Sequence, residues 1–428
     1  MPRTRAAVEN SDLPRRTVLK GGAATAVSGL TVLGVAGPAQ AFPGQVDEGV
    51  VIPWTDQVPP VPPFLENNLA HPLVWEDIEY LTPNRKFFTV KHYDVPQLSP
   101  TAWRLGINGL VARPQTLSLA DLRSLPRRVV TFALECSGNG DATPNQIGLV
   151  GNARWAGASL AQVLRSARPL EEGIEVIFWG ADQGEVTIRD NSGVTGGGRT
   201  GQVAPDGAGG LDLTVTERFA RSMSLQDAMS SSNLLCYEMN GSRLPTDHGA
   251  PVRLIAPDWY GVANVKWLTR IEITDRRFQG KFMARDYVSI REESRGGRTL
   301  WTFTSVTHER LKSAPARVTR RSGRYTVLGA AWGAPIAKVE VRIDGGPWQA
   351  TKLVRNLSRS MGSGHRDQAA WKFWTLSWGT PARGEHTITS RAYDTDGNVQ
   401  PTPTDPYLTS KRTFWENNGH MTRRVMIP

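Results

Sequence analysis

Beyond about residue 298 the chain alternates apolar and polar residues in short runs, and this rhythm limits its fold more than any other feature. Tyr325-Thr326-Val327-Leu328-Gly329, Ala337-Lys338-Val339-Glu340-Val341-Arg342-Ile343 and His386-Thr387-Ile388-Thr389-Ser390-Arg391-Ala392-Tyr393-Asp394 are divided by turns such as Asp344-Gly345-Gly346 and Asp396-Gly397-Asn398. A side-chain period of two turns one face of each run inward, and short strands at this spacing predict an immunoglobulin-like β-sandwich. The 428 residues exceed one ordinary core, because single cores stop growing at about 250–300 residues. A second domain must therefore precede the sandwich. The change of pattern places the boundary at 297/298, giving one domain over 42–297, a second over 298–428 and an α+β fold class.

In the first domain, strands and turn residues dominate, in keeping with 42 Gly and 29 Pro in the chain. Leu105-Gly106-Ile107-Asn108-Gly109-Leu110-Val111 reads as strand–turn–strand, and Val129–Leu134 as a buried strand. Helices are predicted at Leu119–Ser124 and Leu160–Ala167, and further strands at Val252–Ile255 and Leu268–Ile273. Residues 42–85 read as irregular, with Val58-Pro59-Pro60-Val61-Pro62-Pro63 extended along a surface. Residues 190–217 are Gly-rich without periodicity and predict a long loop, of the kind that lies over a site.

The N-terminal 41 residues have the three parts of an export signal. A basic stretch ends in Pro14-Arg15-Arg16-Thr17-Val18-Leu19-Lys20, a weakly apolar segment runs from Gly21 to Gly37, and Ala39-Gln40-Ala41 offers a cleavage site. The adjacent arginines are similar to the twin-arginine signal, which predicts export of a folded protein to a periplasmic or extracellular location. The apolar segment is shorter than the ~20 residues of a membrane span, so no integral span is expected in the mature chain. The leader carries five basic and two acidic residues, so its removal lowers the net charge from +10 to +7. The remaining charges are scattered, with no basic run interleaved with aromatics, which argues against nucleic acid as a partner.

Two cysteines exclude a disulfide framework and a four-thiolate zinc site. Cys136 leaves the buried strand at Glu135-Cys136-Ser137-Gly138-Asn139-Gly140, where small residues let backbone approach a ligand closely. A cysteine after an apolar strand also reads as a small buried residue. The Gly-rich turn adds a second reading, a thiolate placed to act as nucleophile or to hold a soft metal. Cys236, within Leu234-Leu235-Cys236-Tyr237, reads as core. His248, Arg253 and Lys266 place three cationic groups on one strand–loop–strand unit, which suits a phosphate as well as it suits a solvated surface.

Taken together, Leu134-Glu135-Cys136-Ser137-Gly138-Asn139, then Trp155-Ala156-Gly157, His248-Gly249-Ala250-Pro251-Val252-Arg253 and Val265-Lys266-Trp267-Leu268 resemble the sulfite oxidase family of molybdenum enzymes. The likeness runs from about Leu81 to the C-terminus and implies a molybdopterin-binding domain followed by a dimerisation domain. It implies molybdenum held by Cys136 and molybdopterin held by His92, Asp182, His248, Arg253 and Lys266, with backbone near Asn264 and Val265 assisting. It further implies Trp155 lining the substrate pocket and Tyr287 beside the metal. The expected activity is oxygen-atom transfer on a small sulfur compound, and the expected assembly is a homodimer. No haem-attachment or cluster motif is present, so the electrons require a separate partner such as a cytochrome.

The chain departs from the family pattern at two anion-binding arginines, where Val90 and Asp141 stand. Each lost attraction amounts to about 4 kcal/mol for charges 4 Å apart at an effective dielectric near 20. Sulfite is therefore not assured as substrate, and reduction of S-oxides or N-oxides is the alternative direction. An exported relative without catalysis, serving as a binding or structural protein, is the alternative class.

Overall fold

The structure, a computed structural model, describes residues 49–56, 69–140, 148–188, 213–354 and 369–428. The leader with Arg15 and Arg16, the Pro-rich 58–63, most of the Gly-rich 190–217 and Asp141 lie outside the described residues. Among the described residues no helix is long and apolar enough to cross a membrane.

Two sheets build the first half. One is antiparallel, in the order Ser242–Arg243, Leu234–Met239, Val150–Ser159, Arg128–Glu135. The other runs Gln115–Ser118, Arg104–Gly109, Leu268–Thr274, Glu175–Ile188, Leu213–Ser224, with one parallel pair between Arg104–Gly109 and Leu268–Thr274. The short helices between them begin at written caps. Ser118 and Asp121 exchange hydrogen bonds as a capping box for Leu119–Ser124, and the Ser159 hydroxyl accepts from Gln162 N at the start of Leu160–Ala167. Helix Leu160–Ala167 buries Leu160, Ala161, Val163, Leu164 and Ala167 in the larger core of this half.

The second half holds a five-stranded and a four-stranded sheet. Their inward residues, including Val318, Val327 and Trp374 from the first and Val341, Ile388 and Val425 from the second, share one core. A further cluster joins Ala133 and Val150 to Ala314, Trp332 and Trp371, so apolar packing continues from the Cys136-bearing sheet into the C-terminal sheets.

Three expectations change. Residues 42–85 are not wholly irregular: Val50–Ile52 pairs with Lys312–Arg321 at the edge of the five-stranded sheet. The stretch 190–217 is not loop throughout, because Thr214-Val215-Thr216-Glu217 alternate and zip onto Thr187–Gly184. After strand Arg104–Gly109, Gly109 turns at φ +81, and the returning strand is Gln115–Ser118 rather than Leu110-Val111. The 297/298 boundary falls at the Gly296-Gly297 turn of the hairpin Val288–Arg295 and Arg298–Ser305.

Candidate active site

A cleft opens between the sheets of the first half, and Cys136 stands on its wall. Strand Arg128–Glu135 delivers this residue, and a tight turn follows. Cys136 N donates to Leu149 O at 2.9 Å, and Asn139 N donates to Cys136 O at 2.9 Å. Close approach requires glycine at 140, where a Cβ would lie 2.4 Å from Asn417 O; one on Gly138 would lie 3.3 Å from the Phe414 and Trp415 rings. Burial pushes the Cys136 thiol up to about 11, with the Gly138 N–H acting against that shift. Cys136 and Cys236 are both free, and Cys236 is fully buried in the core.

Beneath the turn lies a buried polar cluster. Lys312 Nζ contacts Glu135 Oε1 at 2.6 Å with both side chains fully buried. Asn139 Nδ2 donates to the same oxygen at 2.8 Å, and Asn139 Oδ1 accepts from Leu149 N at 2.7 Å. Glu309 Oε1 accepts from Glu135 N at 2.8 Å. Burial and the Glu135 charge hold the Glu309 carboxyl well above the usual range. The C-terminal half thus supplies Lys312 and Glu309 beneath the site. No pattern marked Lys312, which stands inside the run Leu311-Lys312-Ser313-Ala314.

The cationic end of the cleft is built by the loop between Arg253 and Leu268. Gly249 at φ +103 lets the loop turn against Lys266, whose Cα lies 2.9 Å from where a Cβ would be. Arg253 donates to His248 O at 3.0 Å and Asn264 O at 2.8 Å. Lys266 donates to Val90 O at 2.9 Å and Asp247 O at 3.2 Å. His248 Nε2–H donates to Asn84 O at 3.2 Å. Burial, reinforced by Arg253, holds His248 down at about 3 and Lys266 at about 7. Asp182 reaches the cleft from a bulge in strand Glu175–Ile188, and burial pushes its carboxyl up to about 6.

Opposite, His92 Nε2 and Tyr287 Oη are hydrogen-bonded at 2.7 Å. His92 stacks on Phe219 with ring centroids 4.7 Å apart. Burial and the cations Lys266, Lys281 and Arg221 hold His92 down at about 3, so its imidazole is neutral. Burial raises the Tyr287 hydroxyl far above its ordinary value. Buried Arg221, which the sequence reading missed, donates to Phe282 O and Val306 O behind this pair.

His92, Cys136, Asp182, His248, Arg253, Asn264, Lys266 and Tyr287 therefore meet at one cleft, and Val90 lines it too. Two expected contributors do not. Trp155 is fully buried in the core, its ring 5.6 Å from Phe87 and 5.2 Å from the Arg253 guanidinium, because this position of strand Val150–Ser159 faces inward. Val265 is core as well. The backbone expected to assist is already engaged: Asn264 N donates to Gly261 O and Val265 N to Ala263 O. The Asn264 side chain ties the loop through Trp259 O, Tyr260 O and Ala256 N.

These residues fit the molybdopterin that the resemblance implies. Arg253 Nε and Asp182 Oδ1 are buried without a hydrogen-bond partner, and two crowded cations beside neutral imidazoles suit an anionic, hydrogen-bonding ligand. Among the described residues no group of three His, Cys, Asp or Glu could hold a metal ion. Cys136 can be one ligand to a metal whose other ligands arrive with the cofactor.

Comparison with known proteins agrees. Residues 92–282 match the family described as oxidoreductase molybdopterin binding domain, and residues 302–420 match the Mo-co oxidoreductase dimerisation domain. The chain is 32% identical to the mitochondrial sulfite oxidase of Homo sapiens over 375 residues, covering 82% of this chain but only 62% of that protein. It is 31% identical to the sulfite oxidase of Gallus gallus over 355 residues, covering 76% of this chain and 69% of that one. The crystal structure of the sulfane dehydrogenase SoxCD from Paracoccus pantotrophus shares the fold, with a TM-score of 0.64 at 24% identity over 83% of this chain and 86% of that one. The chain belongs to the sulfite oxidase family of molybdopterin-binding oxidoreductases.

Proposed function

We propose that this protein is an exported molybdenum-cofactor oxidoreductase that transfers an oxygen atom to or from a small sulfur compound and exchanges electrons with a separate redox protein. The single observation that carries this reading is the convergence on one cleft of the Cys136 thiol, the cationic end formed by Arg253 and Lys266 beside neutral His248, and the His92–Tyr287 pair. Molybdopterin, when bound, supplies a metal centre able to exchange an oxygen atom and two electrons. Lys266 and Arg253 would hold its anionic end, and Asp182 would accept hydrogen bonds from its neutral donors. Cys136 would ligate the metal as thiolate, the raised pKa of its thiol belonging to the apoprotein. Tyr287 keeps its proton and, through His92, presents a neutral hydrogen-bonding pair to a substrate beside Cys136.

The wall near Cys136 favours uncharged substrates. Leu134 and Val262 line it, and neither His92 nor Tyr287 carries charge. This favours a neutral organic sulfur compound or S-oxide over a sulfite dianion, and it supports the reductase direction as the second reading. We assign 42–297 to cofactor binding and read 298–428 as an immunoglobulin-like domain that pairs two subunits. The test is turnover by purified holoprotein with artificial electron donors and acceptors. A dialkyl sulfide or sulfoxide should outperform sulfite, and a clear preference for sulfite would overturn the substrate reading.

A further inference from the structure

We propose that the exposed edge of Phe414, with the arginines beside it, is the docking surface for an acidic one-electron carrier, and that electrons leave the cleft through Trp415. Tyr287 on the cleft wall stacks on Trp415 with centroids 4.5 Å apart and planes 29° apart. Trp415 contacts Phe414 with centroids 4.0 Å apart. Phe414 is 47% exposed, and both rings lie over Gly138 in the Cys136 turn, 3.3 Å from where a Cβ would be. Three aromatic rings thus connect the cleft to solvent without a gap. Tunnelling falls steeply with distance, so a carrier seated on Phe414 accepts electrons at the near end of that path.

The surroundings select the occupant. Residues 410–413 lie along strand Val288–Arg295, with Arg412 N donating to Ile290 O at 2.9 Å. Arg412 sits 5.4 Å from the Trp301 ring, and Trp301 and Phe303 on the partner strand are 48% and 69% exposed. Exposed aromatics beside arginine make up the composition of an interface core. At the surface Arg310, Lys411 and Arg412 outnumber Glu292, while Arg291 and Glu416 are buried beneath, so the patch attracts an acidic partner. A second copy of this positively charged chain meeting it isologously would set like charges together.

This inference rests on the oxidoreductase reading above. In the oxidising direction substrate and one water give oxidised substrate, two protons and two electrons. The protons go to solvent, and each electron converts one ferric haem of the carrier to ferrous.

The test mixes chemically reduced holoenzyme with a small acidic c-type cytochrome in ferric form at low salt. Calorimetry reads affinity and stopped-flow absorbance reads haem reduction. Arg412→Glu should weaken binding about tenfold or more. The swapped pair Glu292→Arg with Arg412→Glu keeps both the ion pair and the patch charge and should restore binding. Phe414→Ala should slow haem reduction at saturating cytochrome. Arg104→Glu, on a separate arginine-lined groove with Arg123 and Arg243, should change neither. Wild-type enzyme that reduces no haem refutes the oxidoreductase reading. Reduction that is normal in both Arg412→Glu and Phe414→Ala refutes the docking surface alone. So does a dimer that dissociates in the Phe414→Ala variant, because the patch would then be a subunit contact.

Discussion

Replacing Lys312 by Met removes the cation from a fully buried ion pair and leaves the Glu135 carboxylate with one hydrogen bond, from Asn139. An uncompensated buried carboxylate destabilises by about 3–5 kcal/mol. Lys312→Met should therefore lose about 3–5 kcal/mol at pH 7. Urea unfolding followed by tryptophan fluorescence measures this. Because Glu135 adjoins Cys136 and holds Asn139, the variant should also bind less cofactor. Replacing both partners, Lys312→Met with Glu135→Gln, removes the stranded charge and should recover part of the loss. A loss under about 1 kcal/mol in Lys312→Met would refute the buried-pair account.

Other outcomes follow from the same geometry. Val90→Arg places a cation on the cleft wall and should lower the KM for sulfite about tenfold or more, since a close charge contributes up to about 4 kcal/mol; steady-state kinetics decide it. Trp155→Ala should destabilise by about 3–5 kcal/mol as a core truncation, while the folded fraction keeps the wild-type KM. Acid should weaken the apoprotein in a defined way. His92 and His248, held near 3, take up protons on unfolding below pH 6.5, so the stability present above that value is lost as pH falls. Asp182, raised to about 6, acts oppositely between 3.8 and 6. Glu309, held well above the usual carboxyl range, opposes them too above about pH 4, so the two imidazoles stand uncompensated only between about pH 4 and 3. Denaturation midpoints across that range should fall with pH, and a flat profile would contradict the buried neutral imidazoles.

What was legible in the sequence was local. Helices Leu119–Ser124 and Leu160–Ala167 appear with the expected ends because Ser118 with Asp121, and Ser159, cap them from within a few residues. Cys136, His248, Arg253 and Lys266 stood out because rare or charged side chains flank glycine turns, and the structure brings them to one cleft. Long-range packing decided the rest. Lys312 finds Glu135 across 177 residues, and Val50–Ile52 finds its partner strand in the second half. Trp155, expected at the substrate pocket from the family likeness, lies in the core, because a motif says nothing about which face of a strand meets the core. Trp415 and Phe414 gained meaning only when the fold laid them against the Cys136 turn.

The central claim is that Cys136 ligates molybdenum in this cleft. X-ray absorption at the molybdenum edge, on protein purified from a molybdate-supplied, cofactor-competent host, tests it most directly. The account predicts about one molybdenum per chain in the wild type, and a metal shell with one sulfur fewer in a folded, inactive Cys136→Ser variant. An unchanged sulfur count, or wild-type protein that carries no molybdenum, would contradict it.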